Sequence, residues 1–347
     1  LSRLFCLRFV PVPRPHILRY SRADHNQDKF MPASALQLTH VRKQFGDFTA
    51  VDDISLSIPQ GAIYGFLGPN GAGKTTTLRM VLDIIKPTCG EICILGASSA
   101  LDVRERIGYL PEEKGLYKKM KAWAVIQYFA MLKGMPKAAA KQRALALLEQ
   151  YGLQDFADNK VESLSKGMGK KVQVLAAVAH DPELIILDEP FSGLDPVNQA
   201  VLETLIRDLA ARGKTIIFST HVMQHAERLC DHILLIAHGH KIFDGTVQSA
   251  KASLPRRVLI ETAGDPRVLD RLEQVVHVEA LTEAGNAAQQ WQITIDEQAN
   301  PQHLLKACFD NDIQLVKFEF VEPSLHDVFV ELVGQHELSL TAEEARA

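Results

Sequence analysis

Gly68-Pro69-Asn70-Gly71-Ala72-Gly73-Lys74-Thr75 matches the pattern G-x-x-x-x-G-K-[ST] of a phosphate-binding loop. Each residue type has a physical reason to be there. Glycines let the backbone take positive φ and turn its N–H groups toward phosphate oxygens, forming an anion nest. Lys74 adds a mobile charge for the β and γ phosphates, and Thr75 offers a hydroxyl to Mg²⁺. The apolar run Ala62-Ile63-Tyr64-Gly65-Phe66-Leu67 before the loop suits a buried parallel strand. The helix expected after it, through Leu78 and Val81 to Ile85, would point its positive end at the same anion.

A second element is Leu184-Ile185-Ile186-Leu187-Asp188-Glu189, an apolar strand ending in two carboxylates. Standing alone it could be a buried strand running into a polar loop. After a phosphate loop, Asp188 is expected to hold Mg²⁺ and Glu189 to orient or deprotonate the attacking water.

Four further stretches and one aromatic residue carry a family resemblance. Leu164-Ser165-Lys166-Gly167-Met168, with Ser165 lying 23 residues before Asp188, resembles the LSGGQ-type signature of ABC transporter ATPases. Ser192-Gly193-Leu194-Asp195 resembles their D-loop, and Ser219-Thr220-His221 their switch histidine. Ile107-Gly108-Tyr109-Leu110-Pro111-Glu112 resembles the Q-loop, and Phe45 stands where the family places the ring that stacks on adenine. The resemblance covers about residues 36–250. It implies ATP and Mg²⁺ as cofactors, with Lys74, Glu189 and His221 as the catalytic groups. Nucleotide would lie against Phe45, Gly68, Pro69, Asn70, Gly71, Ala72, Gly73, Lys74, Thr75, Thr76, Glu112, Ser165, Gly167, Asp188 and Asp195. Thr75, Asp188 and Glu112 would hold the metal. The signature of one subunit would complete the phosphate loop of another, so hydrolysis would need a homodimer or heterodimer.

Within that family, Tyr109-Leu110-Pro111-Glu112-Glu113-Lys114-Gly115-Leu116-Tyr117 and Glu322-Pro323-Ser324-Leu325-His326-Asp327-Val328-Phe329 resemble ATP-binding subunits of ABC-2 type exporters, the sodium-extrusion and drug-export group. The sequence departs from the general pattern in two places. Glu112 replaces the usual Gln, and a carboxylate accepts hydrogen bonds or binds Mg²⁺ but cannot donate as an amide does. Lys166 and Met168 replace the usual signature residues, whereas Ser165 and Gly167, implied to reach the γ-phosphate, remain.

Composition narrows the classes. With 347 residues there is ample core for two domains, and a net charge of −4 gives no global basic surface for nucleic acid. Apolar runs such as Val174-Leu175-Ala176-Ala177-Val178-Ala179 fall short of the roughly 18 residues of a membrane-spanning helix. Transport would therefore need another chain for the pathway, and the resemblance implies a separate transmembrane permease of the ABC-2 type, with this chain on the cytoplasmic face of the inner (plasma) membrane. The five cysteines suit a reduced setting. Cys93, among apolar neighbours, reads as a core thiol rather than a metal ligand shared with Cys89. Five histidines lie between His221 and His240; a switch plus surface histidines is expected rather than a metal pair at His221 and His225.

Along the chain, residues 1–34 read as an N-terminal extension from a mis-called start, disordered if made. The first Met is Met31, and residues 1–22 hold five arginines and no acid, which resembles a transit peptide, but Pro11, Pro13 and Pro15 would break a helix there. Residues 35–252 form the expected ABC ATP-binding domain, an α/β P-loop NTPase cassette. Its helical subdomain, about 115–180, has helices at Ala122 to Leu132 and at Lys141 to Tyr151, the latter marked by Leu145, Leu148 and Tyr151 and stopped by Gly152. By resemblance, loops near Glu112 and Leu116 touch the membrane partner. Strands are expected at Leu184 to Leu187, Thr215 to Ser219 and Ile233 to Ala237, with a hairpin across His238-Gly239-His240.

Residues 253–336 read as a small α+β, ferredoxin-like domain of order βαββαβ. Its expected elements are a strand to Thr262, a helix Asp265 to Glu273, strands from Val275 and Gln289 around the turn Ala284-Gly285-Asn286, a helix from Pro301 and a strand from Leu315. Ser324 and Asp327 form a capping box for a last helix, whose stripe Leu325, Val328, Phe329 and Leu332 is expected to pack on its own domain rather than in a partner groove. No catalytic constellation is visible there, which suits a regulatory or dimer-supporting unit, and residues 337–347 are a tail.

The leading expectation is an ATPase subunit powering export of an unidentified substrate. The alternative is a soluble ABC ATPase acting in translation or DNA maintenance. Translation factors of that kind carry two cassettes and DNA-maintenance types a long coiled coil, and neither is present. Asn159-Lys160-Val161-Glu162 falls one Asp short of a guanine-specifying motif, and Glu189 argues against nucleotide binding without hydrolysis.

Overall fold

The structure, a computed structural model, describes residues 34–113, 117–281, 289–296 and 299–344. Strand β1 (Ser34–Phe45) turns through Gly46 into β2 (Phe48–Pro59), and β3 (Ile63–Leu67) follows, buried at every position. After the glycine loop come α1 (Lys74–Val81), β4 (Cys89–Ile94) and β5 (Ile107–Leu110). Then come α2 (Ala122–Leu132), α3 (Lys137–Gln150) and α4 (Lys166–Val178). The chain continues with β6 (Leu184–Leu187), α5 (Pro196–Ala211), β7 (Thr215–Thr220), α6 (Met223–Leu229), β8 (His232–Ala237), β9 (His240–Thr246) and α7 (Val247–Ala252).

Six of these strands form one sheet in the order β5-β6-β7-β3-β8-β9, parallel except for the β8–β9 hairpin. That hairpin turns where expected, with His238 and Gly239 both at positive φ. The apolar runs do not alternate because both faces are covered. Ile185, Leu187 and Phe218 face a core shared with α2 to α5, whereas Ile186, Ile217 and Phe66 face the small antiparallel sheet β2-β1-β4 and α1. Since β6, β7 and β3 are neighbours, the segments leaving their carboxyl ends, at Asp188, His221 and Gly68, come together. Open parallel sheets hold ligands at these ends.

The remaining strands, β10 (Arg256–Thr262), β11 (Val275–Ala280), β12 (Gln289–Ile295) and β13 (Leu315–Val321), form a separate antiparallel sheet in the order β11-β12-β10-β13. With α8 (Pro301–Asp310) between β12 and β13, the order and directions are those of a ferredoxin-like split βαβ unit. Its core holds Val258, Ile260, Trp291, Ile293 and Leu304. The last helix, α9 (Leu325–Glu344), is capped as expected: Ser324 Oγ accepts from Asp327 N at 3.2 Å, and Ser324 N donates to Asp327 Oδ2 at 2.8 Å.

Several expectations change. The apolar stripe of α9 does not pack on the β10–β13 sheet. Leu325 and Val328, both fully buried, join Leu67, Met223, Ala226, Leu235, Val247 and Ala250, so the helix lies on α6 and α7. A stripe of this kind specifies that a partner exists and not which one. The expected helix Asp265 to Glu273 is a short 3₁₀ turn, Pro266–Arg271, capped by Asp265 and burying only Pro266 and Leu269. The first helix stops at Val81, and Asp83 turns into positive φ. Leu145 is exposed; α3 buries Ala140, Ala144, Leu147 and Leu148 instead. Cys93 is exposed, because the outer edge strand β4 directs it away from the core. His225 is buried rather than on the surface. Residues 1–33, Gly115, Leu116 and the turn Ala284-Gly285-Asn286 lie outside the described residues.

Candidate active site

The glycine loop leaves β3 with no room for side chains at two points. A Cβ on Gly68 (φ 153) would lie 2.1 Å from Ile236 O, and one on Gly73 (φ 105) 2.6 Å from Ala50 O. Pro69, Asn70 and Gly71 form the exposed tip, Ala72 is buried, and Thr75 and Thr76 are half-buried on α1. Lys74 begins that helix and is 6% exposed. Its Nζ donates to Gly68 O at 2.8 Å and Pro69 O at 3.0 Å, and lies 3.8 Å from Glu189 Oε1. Burial holds the Lys74 ammonium below the ordinary lysine range, opposed by the charges of Glu189, Asp188 and Glu112.

Asp188 follows β6 and is 1% exposed. Its Oδ1 accepts from Ser219 Oγ at 2.6 Å and Thr75 Oγ1 at 3.2 Å. Its Oδ2 is buried and has no hydrogen-bond partner among the described residues. A buried carboxylate oxygen needs a partner. The hard oxygens of Asp188 and Thr75 fit Mg²⁺, which favours such donors.

Glu189 adopts φ 46, a left-handed conformation that a non-glycine residue takes at a cost on the order of 1 kcal/mol or more. Its N–H donates to Ser219 Oγ at 2.9 Å, and its two carboxylate oxygens lie 3.1 and 3.2 Å from His221 Nδ1. One hydroxyl at the end of β7 therefore holds both adjacent carboxylate residues of the β6 end, and the histidine two residues further on meets the second carboxylate.

Lys74, Thr75, Asp188, Glu189 and His221 thus form one contact network. Ser165, Gly167 and Asp195 form a second group. Ser165 caps α4, accepting from Met168 N at 3.2 Å, and Asp195 caps α5, accepting from Asn198 N at 3.0 Å. Ser165 and Asp195 are exposed, whereas Gly167 is buried against Asn198. Among the described residues no hydrogen bond joins this group to Lys74, Asp188 or Glu189. Phe45 stands apart at the end of β1, half exposed, with Lys43 Nζ 4.9 Å from its ring centroid. Glu112 is exposed beyond β5 and is felt by Lys74 only through its charge.

Comparison with known proteins agrees with this geometry. A family model described as "ABC transporter" matches residues 51–192, and one described as "ATP-binding protein DrrA1-3-like, C-terminal domain" matches residues 245–333. An uncharacterized ABC transporter ATP-binding protein, YhaQ of Bacillus subtilis (strain 168), is 41% identical over 306 residues, covering 86% of this chain and 98% of that one. This chain belongs to the ABC transporter ATP-binding proteins. Nod factor export ATP-binding protein I of Burkholderia lata is 39% identical, over 69% of this chain and 80% of its own. A solved ATP-binding subunit of an ABC transporter superposes with a TM-score of 0.59 at 29% identity, covering 63% of this chain and 93% of that one. The cassette MJ0796, solved as a post-hydrolysis dimer bound to ADP and Pi, gives 0.57 at 25% identity, covering 61% and 98%.

This ABC protein is accordingly an ATPase, an α/β P-loop cassette carrying a second small sheet. Sequence reasoning missed three supporting residues. Ser219 was visible only as the first letter of Ser219-Thr220-His221. Lys170, 9% exposed on α4, faces the charges of Asp188, Glu112 and Glu189, while burial pulls it below the ordinary lysine range. His225 stacks on Phe191 at 4.1 Å and lies 3.6 Å from the buried Glu203, which Arg228 meets at 2.9 Å. That cluster braces the segment after Glu189 against α6, and no local pattern announces it.

Proposed function

We propose that this chain is the ATP-hydrolysing subunit of an ABC-2 type exporter, working through a separate transmembrane permease and pairing with a second ATP-binding subunit, identical or related. Phosphoryl transfer needs positioning and charge neutralisation. Lys74 and the loop Gly68 to Gly73 bind the phosphates, with Thr76 beside them. Thr75 and Asp188, with Glu112, would hold Mg²⁺, which would supply charge neutralisation for the phosphates. Glu189 orients or deprotonates the attacking water, and His221 holds Glu189 and senses the γ-phosphate. Phe45 stacks on the adenine. Ser165, Gly167 and Asp195 serve the nucleotide of the paired subunit.

The observation that carries this reading is the placement of Glu189. It is held at φ 46 by Ser219, its carboxylate lies against His221, and Lys74 is 3.8 Å away. Export is supported by relatives named for it, the Nod factor export proteins. No helix among the described residues is long and apolar enough to cross a membrane; we place the chain on the cytoplasmic face, held there by its permease. We assign residues 35–252 to the cassette and 253–336 to an accessory domain whose last helix is docked on the cassette.

The test is to purify tagged Glu189→Gln protein with ATP from mildly solubilised membranes of its own cell. A stoichiometric multi-span protein is expected. Recovery of ribosomes, DNA or nothing, with all the protein in the soluble fraction, would overturn the exporter assignment.

A further inference from the structure

Gly167 is helical, within α4, and has no need of positive φ. Its reason for lacking a side chain is steric. A Cβ there would lie 2.5 Å from Asn198 Nδ2, 2.8 Å from Asn198 Cγ and 3.3 Å from Asn198 Cβ. Asn198 sits in the first turn of α5, on the far side of the D-loop from Glu189. Its backbone N–H donates to Asp195 Oδ1 at 3.0 Å, and its side-chain Nδ2 donates to Asp195 Oδ2 at 2.5 Å. One residue therefore occupies both oxygens of the D-loop carboxylate while filling the space a side chain at the signature glycine would need. Asn198 N–H, then its side chain, hold the Asp195 carboxyl below the usual carboxylate range, so its charge is kept. Ser165, two residues from Gly167, and Asp195 are left exposed.

We propose that Asn198 is a positioning residue that joins the signature turn to the D-loop, so that Ser165 and Asp195 are presented to the paired subunit as one rigid unit. This rests on the two-subunit reading above. An amide suits the task because its N–H donates to the carboxylate while the same short side chain fills the space beside Gly167.

The test uses full-length protein in the Glu189→Gln background, with ATP-driven dimerisation followed by sedimentation and ATP affinity of the monomer by fluorescent-nucleotide displacement. Asn198→Ala removes the side-chain bond to a charged acceptor but leaves the backbone cap. It is expected to weaken dimerisation by about tenfold or more, with monomer affinity within about twofold. Gly167→Ala must push the amide off Asp195, so it should give a similar loss, and the double variant should be no worse than either single one. Equal dimerisation of Asn198→Ala and its parent would overturn the proposal, as would additive losses in the double variant, since Gly167 would then act without Asn198. Loss of monomer affinity in step with dimerisation would make Asn198 a packing residue of the whole cassette and overturn it too. Failure of the Glu189→Gln parent to dimerise would instead bring down the two-subunit reading, and this proposal with it.

Discussion

Leu325→Ala on α9 should destabilise the ATP-binding core rather than the β10–β13 sheet from which the helix emerges. Leu325 is 1% exposed and belongs to the cluster of Leu67, Met223, Ala226 and Leu235. Truncation removes the equivalent of about three methylenes, about 2.4 kcal/mol of transfer free energy at ~0.8 kcal/mol each. A cavity term raises the expected loss to about 3 kcal/mol, within the 2–5 kcal/mol range of buried Leu→Ala changes. With a urea m-value of about 3 kcal/mol/M for a chain of this size, the midpoint falls by about 1 M.

The protein's two tryptophans separate the alternatives, since Trp123 lies on α2 and Trp291 is buried in β12. Trp123→Phe and Trp291→Phe backgrounds each leave one reporter. The Trp123 signal should move by that amount on Leu325→Ala. Val330→Ala on the same helix, 57% exposed, should change stability by less than about 0.5 kcal/mol. A shift confined to Trp291 would refute the docking of α9 on α6 and α7.

Lys74→Ala should abolish ATP binding in equilibrium titration; wild-type affinity would falsify the phosphate-loop assignment. Ser219→Ala removes the 2.6 Å bond to Asp188 and the acceptor of Glu189 N–H, both buried. A loss of about 2 kcal/mol predicts a kcat lower by about thirtyfold in steady-state ATPase assays, with the fold retained by circular dichroism. His180 donates Nε2–H to Ile107 O at 3.1 Å and keeps Nδ1 buried without a hydrogen-bond partner. Burial, then the nearby Lys133, lower its pKa from 6.5 to about 4. The folded value is depressed, so the unfolded chain binds the extra proton, and the stability from neutral His180 is full above about pH 6.5 and lost as pH falls toward 4. Unfolding free energies from urea titrations across that window should fall on the acid side by about 2–3 kcal/mol, and His180→Gln should flatten that slope.

Much of the site was legible because its residues are local in sequence. The eight residues from Gly68 to Thr75 carry both the turn chemistry and the charge, and Asp188-Glu189 follows an apolar run whose lack of alternation already implies two covered faces. The β8–β9 hairpin and the Ser324–Asp327 box are likewise short-range matters of φ and side-chain reach. The elements misjudged depend on distant partners. Asp265 to Glu273 has helical composition, yet it shortens to a 3₁₀ turn beside β11. Cys93 has apolar neighbours in sequence, yet an edge strand turns it outward.

The sequence by itself determined that a phosphate loop, a pair of carboxylates and a histidine occur in a fixed order, each at the end of an apolar strand. Local backbone geometry and hydrophobic pattern suffice for that. Only the tertiary structure decided that Ser219 ties Asp188 to Glu189, that Asn198 lies against Gly167, and that α9 leaves its own sheet to lie on α6 and α7. Those contacts join residues 30 or more positions apart. An apolar stripe or a lone hydroxyl specifies a need for a partner, and strand order and crossover paths determine which partner is close enough to meet it.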